Sequence, residues 1–132
     1  MQLTILGDPA PQGSKRVFNG RVVEAAGQKL KVWRKAIATA CQDIVTEEHS
    51  LLLGPVRGEG VFYLPRPASV SIKKRPYPIV PPDLDKLLRG LLDGIGQSEV
   101  IWGDDSQVIE IEAAKLYADD HAPGAVVSIY AL

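Results

Sequence analysis

Residues 81–108, PPDLDKLLRGLLDGIGQSEVIWGDDSQV, hold the side chains best suited to chemistry. Asp83 and Asp85 stand at the mouth of an expected helix, and a second acidic pair, Asp104 and Asp105, returns after a short loop. Neighbouring carboxylates raise each other's pKa unless a cation lies between them, so two such pairs flanking one helix ask for a cation. Cutting a phosphodiester at neutral pH requires an activated water, a stabilised leaving oxygen and neutralised transition-state charge, and a divalent metal serves all three. Magnesium prefers oxygen ligands, keeps several waters and leaves positions open for phosphate. Asp83, Asp85 and one or both of Asp104 and Asp105 are the expected ligands. Arg89, one turn beyond Asp85, is placed to donate to the scissile phosphate or to orient a carboxylate.

Each piece also has a plainer reading. Asp83 alone is more often an N-cap, Asp85 alone a first-turn partner of the helix dipole, and Asp104-Asp105 alone a turn. Asp93 reads better as the i+4 partner of Arg89 than as a ligand, and Asp119 and Asp120 read as turn residues. An Asp-x-Asp by itself is weak evidence. The joint arrangement, with basic segments elsewhere, carries the case.

Two helices and a small sheet are expected to position these residues. Residues 1–7 alternate Leu3 and Ile5 with polar neighbours and stop at Gly7-Asp8-Pro9, the pattern of a strand and turn. Residues 10–27 are polar, glycine-punctuated and basic, with Lys15, Arg16 and Arg21, and suit a flexible arm or a hairpin touching phosphates, or a solvated loop. Their Gly-Ser-Lys lacks the first glycine of a phosphate-binding P-loop. Leu30, Trp33, Ile37, Cys41, Ile44 and Val45 recur at helical spacing from residue 28 to about 48, with basic residues in the first two turns.

Residues 55–64 read as a second strand, and 65–82 as an irregular proline-rich segment carrying Lys73, Lys74, Arg75 and Tyr77, equally a grip on a nucleic-acid backbone or a mobile loop. Leu84, Leu87, Leu88, Leu91, Leu92 and Ile95 form the stripe of a helix ending near Gly94 or Gly96, with Asp85, Arg89 and Asp93 on its other side. Residues 107–117 and 124–132 read as strands joined through Asp119–Gly124 as an antiparallel hairpin. The order β-α-β-α-β-β implies an α+β fold, with helices covering one face of a small mixed sheet.

At 132 residues the chain is one domain, 1–132, and its 45% hydrophobic content suits a folded core. No apolar run reaches membrane-spanning length, the N-terminus lacks a signal-peptide pattern, and the single Cys41 fits a reducing cytoplasm. The net charge of −1 hides a division. Residues 1–75 hold twelve Lys/Arg against six Asp/Glu, and residues 76–132 three against ten. That separation suits a basic surface for an anion and an acidic pocket for a cation, unless folding interleaves the charges.

The run Asp83-Leu84-Asp85-Lys86-Leu87-Leu88-Arg89, with Leu92-Asp93 and Asp104-Asp105-Ser106-Gln107-Val108, resembles the signature of the RusA family of Holliday-junction resolvases, and the order of elements around it carries the resemblance over nearly the whole chain. The resemblance implies a Mg²⁺-dependent homodimeric endonuclease, with Mn²⁺ as a substitute metal, that resolves four-way DNA junctions by paired nicks. It implies catalytic aspartates at Asp83, Asp85 and Asp105, and it sets Arg89 at the family's lysine position and Lys86 where an asparagine is usual. Arginine keeps the charge but is a poor proton carrier, so its expected part is electrostatic. Expected DNA contacts are Lys15, Arg16, Lys73, Lys74, Arg75 and Lys86, with no organic cofactor and no membrane. The rival expectations are a less selective nuclease of flaps or branched DNA and a non-catalytic DNA-binding protein. A metal-dependent sugar-nucleotide transferase lacks a recognisable nucleotide-binding fold here.

Overall fold

The computed structural model describes residues 1–13, 15–24 and 27–132, and the side chains of 15–18 and 22–24 lie outside the description. The chain runs β1 (Gln2–Leu6), β2 (Lys15–Phe18), β3 (Arg21–Glu24), α1 (Gly27–Asp43), β4 (Val56–Leu64), α2 (Leu84–Ser98), a 3-10 turn (Asp105–Gln107), β5 (Val108–Tyr117) and β6 (Gly124–Ala131). The expected β-α-β-α-β-β order is present, with β2 and β3 inserted as a separate antiparallel hairpin. The main sheet has the order β1-β6-β4-β5, in which β4 and β5 are parallel and the other pairs antiparallel.

Alternation decides which face of the sheet is covered. Strand β4 buries every second residue from Val56 to Leu64, and β1 and β6 turn Leu3, Ile5, Ala125, Val127 and Ile129 to the same side. The helices cover that side, contributing Leu30, Trp33, Ile37, Leu87, Leu91 and Ile95 to the core. The other face carries Arg57, held between Glu59 at 2.6 Å and Glu110 at 3.1 Å. In that pair, and in Arg66 with Asp119 at 2.7 Å, cations of the basic half meet anions of the acidic half.

Three expectations about elements need correction. The connection from β5 to β6 is not a hairpin, because β6 lies between β1 and β4 and the chain crosses the end of β4 to reach it. The more apolar β6 takes the interior place, whereas β5, with Ile109, Glu110 and Glu112 exposed, takes the edge. Helix α2 does not stop at Gly94 or Gly96 but runs to Ser98, and closes at Glu99 in the left-handed conformation (φ 61°). A Cβ on Gly94 would lie 2.9 Å from Ile37 Cδ1, so this glycine permits close packing of α2 on α1. Helix α1 ends at Asp43, short of residue 48; Val45 beyond it is exposed and adds no burial to extend the stripe.

The segment 65–82 is organised by Arg66. Its guanidinium donates to Asp119 (2.7 and 3.0 Å) and to the carbonyls of Arg75 (2.6 Å), Ser71 (3.2 Å) and Pro76 (3.3 Å), and lies 4.0 Å from the Tyr117 ring centroid. Among the described residues, no helix is long and apolar enough to cross a membrane.

Candidate active site

Helix α2 carries an acidic group at each end. At its start, Asp83 has the extended conformation of an N-cap (φ −70°, ψ 143°), but its side chain makes no capping bond. Its backbone carbonyl accepts from Leu87 N–H at 3.1 Å, while the carboxylate stays exposed, with Lys86 Nζ 3.9 Å away. The preceding prolines are fixed from the sheet, because Lys115 Nζ on β5 donates to the carbonyls of Val80 and Pro82 at 2.9 Å each. Asp85 is exposed in the first turn, and Arg89 follows one turn later. The loop after β1 lies along this side of α2. Gln12 N–H donates to Lys86 O at 3.0 Å, and a Cβ on Gly13 would lie 3.0 Å from Arg89 Nη1.

At the other end, the Asp105 carboxylate accepts from the Trp102 indole N–H at 2.9 Å and packs against α2, where a Cβ on Gly96 would lie 2.5 Å from its oxygen. Burial pushes the Asp105 carboxyl up; the Trp102 bond opposes this, while the neighbouring Asp93 and Asp104 add to it. Asp93 also accepts from Gln12 Nε2, whose Oε1 accepts from Arg34 Nη1 at 2.9 Å. Asp93 therefore accepts from Gln12 and stands as a like charge near Asp105; no Arg89–Asp93 ion pair forms among the described residues, contrary to the i+4 expectation. Asp104 is exposed and caps the 3-10 turn, accepting from Ser106 N–H at 2.8 Å, which holds its carboxyl below the usual range. A hollow of ≈ 320 Å³ opens between Asp93, Gly96, Glu99, Asp104 and Asp105.

Residues 7–130 match the family model described as endodeoxyribonuclease RusA. The chain belongs to the RusA family. The uncharacterized protein YqaN of Bacillus subtilis (strain 168) is 28% identical over 134 residues, covering 91% of this chain and 89% of the relative. The family match bears out the resemblance, both in residues 83–108 and in its reach over nearly the whole chain.

For a RusA family chain, the fit of these residues to a divalent metal depends on how far apart α2 holds them. Asp105 lies against Gly96, eleven residues after Asp85, and eleven residues of helix rise about 16 Å. Two oxygens on one Mg²⁺ are at most about 4 Å apart, at roughly 2.1 Å from the ion each. A single subunit thus brings Asp83 near Asp85 and Asp105 near Asp104 and Asp93, but does not bring the two groups together. Among the described residues no three or more His, Cys, Asp or Glu side chains are arranged so that they could hold one metal ion. Each half-set has the oxygen chemistry of a magnesium site and is incomplete alone.

Of the expected DNA contacts, Lys73 and Lys74 are exposed, and Arg75 and Lys86 are half-buried. The side chains of Lys15 and Arg16 lie outside the described residues; the backbone around them forms β2. Sequence reasoning missed Trp102, Gln12 and the nearness of Asp93 to Asp105. A Trp three residues before Asp105 on a short turn was a usable local signal; Gln12, 81 positions from Asp93, offered none.

Proposed function

We propose that this RusA family chain is a homodimeric, Mg²⁺-dependent endonuclease that resolves four-way DNA junctions by paired nicks, with Mn²⁺ able to substitute. The observation that carries the reading is the pair of incomplete carboxylate sets at opposite ends of one helix. A two-fold axis that pairs two such helices antiparallel supplies each set with the other's complement, at both ends at once. In this reading Asp83 and Asp85 of one subunit and the partner's Asp105 hold the metal, with Asp104 at the rim. Bound Mg²⁺ would activate a water and neutralise the charge of the leaving oxygen.

The chain's own groups support this use. The Asp83 carboxylate is not spent on capping, and its backbone is clamped by Lys115. Trp102 orients Asp105 from one side. Arg89, exposed one turn beyond Asp85, offers a cationic fork for the scissile phosphate, stabilising charge rather than carrying a proton. Lys73, Lys74, Arg75 and Lys86, with Lys15 and Arg16 on the hairpin, supply sequence-independent contacts to the phosphate backbone.

The test is cleavage of a synthetic four-way junction in Mg²⁺ by wild type, Asp83→Asn and Asp105→Asn, with flap and linear duplex controls at one salt concentration. Loss of cleavage in both variants, with junctions cut ahead of flaps, is the expected result. Full activity in either variant removes that residue from the metal site, and equal cutting of flaps removes the junction preference.

A further inference from the structure

We propose that the crevice beyond the carboxyl ends of β4 and β5 is a subsite for one unpaired nucleobase of the DNA. The proposal rests on the nuclease reading for the identity of the polymer. The parallel strands β4 and β5 end together at Leu64 and Tyr117, and the crevice outside the carboxyl ends of parallel strands is where open sheets take ligands. A cavity of ≈ 200 Å³ lies there, lined among others by Asp8, Lys29, Pro65, Val80, Pro82 and Tyr117. That is below the roughly 300–1,000 Å³ of sites for drug-sized molecules, so it suits a single ring system rather than a base pair.

The chemistry of the walls selects the same occupant. Proline carries no backbone N–H, so Pro65 and Pro82 offer apolar surface to a planar ring without donors to be satisfied. Tyr117 is only 8% exposed and is held by the Arg66 guanidinium over its ring, which makes a rigid wall. The exposed Asp8 and Lys29 at the mouth present opposite charges. A carboxylate accepts from the exocyclic amino group of a base, and an ammonium takes the phosphate. Lys29 lies in the first turn of α1, where the helix dipole disfavours a cation, so the helix itself gains nothing from it. Pro82 immediately precedes Asp83, so a base in the crevice brings its own phosphate next to the acidic end of α2. Stacked duplex cannot enter; a base freed at a branch point can. The larger hollow on the open sheet face is lined by Glu59 and Glu112, the wrong sign for DNA.

The test is equilibrium binding in EDTA, where no strand is cut, to four-way junctions and single-stranded 12-mers carrying one abasic site scanned across the sequence. Wild type is expected to lose roughly tenfold in affinity at one position near the branch, the scale of one stacked base. Val80→Trp, which fills the crevice, is expected to bind intact and abasic DNA alike, and Asp8→Ala, a surface change safe for folding, to shrink the penalty for amino-bearing bases. A wild type indifferent to every abasic position, a filled variant that keeps the penalty, or a protein that binds no DNA overturns the proposal. An abasic penalty in a protein that cuts nothing would sink the nuclease reading and leave the subsite standing.

Discussion

The separation of the two carboxylate sets along α2 yields a decisive complementation experiment. Asp85→Asn and Asp105→Asn each remove a proposed ligand while keeping side-chain shape. Loss of even an outer partner of a metal site typically costs 10–100-fold, so each homodimer is expected to nick at about 1% of wild type or less. If the two sets served one ion within a subunit, no mixture of the variants would recover activity. They are about 16 Å apart along the helix, against the roughly 4 Å that one ion permits. In a dimer with shared sites, the heterodimer of Asp85→Asn with Asp105→Asn has both lesions at one site and none at the other. Purified through two affinity tags and assayed on an end-labelled junction, it is expected to nick at about half the wild-type rate. A heterodimer of wild type with the double variant has one lesion at each site and is expected to stay at background. The reverse outcome, an inactive first heterodimer and an active second, refutes the sharing of sites.

Other consequences concern the scaffold around the site. Gly94→Ala would force its Cβ against Ile37; overpacking of about 1–3 kcal/mol exceeds the helix-propensity gain of about 1 kcal/mol, so thermal melting should fall, and an unchanged melting temperature contradicts the packing account. Gln12→Ala leaves Asp93 and Arg34 without their bridging partner, and urea unfolding should show a loss of about 1–3 kcal/mol; a change under about 0.5 kcal/mol, as at an ordinary surface site, argues against it. Asp119 is held below its ordinary 3.8 chiefly by the Arg66 hydrogen bond. Its folded pKa is depressed, so its contribution to stability is present above pH 3.8 and is lost as pH falls through the lowered value. Asp119→Asn should flatten the acid limb of a melting-temperature profile, and an identical acid limb removes the ion pair as its cause.

Much of this molecule is legible in its sequence because the relevant signals are local. Alternation in β1, β4 and β6 and the Leu stripe of α2 give the elements, and the acidic pairs give the chemistry of each end. What local signals miss is set by contacts distant in the chain. Gly94 and Gly96 read as helix terminators, yet the space they leave is filled by Ile37 and Asp105, so each marks close packing rather than an end. Asp119–Gly124 has turn composition, and composition specifies a reversal of direction but not which strand the chain pairs with next. Asp83 reads as a capping residue, but position alone does not commit its carboxylate, which makes no capping bond and faces Lys86 instead.

The length of α2 links the fold to the proposed chemistry. A shorter helix would let the loop bearing Asp105 return to the Asp83 end and close a site within one subunit. A helix of 15 residues instead sends that loop to the far end. In the proposed dimer a second chain would complete either carboxylate set, and two-fold symmetry would make the interface self-complementary, so both sites would assemble or neither would. In that arrangement a lone subunit would lack a complete site, so nicking would require the dimer, which presents the two symmetry-related sites that paired nicks need.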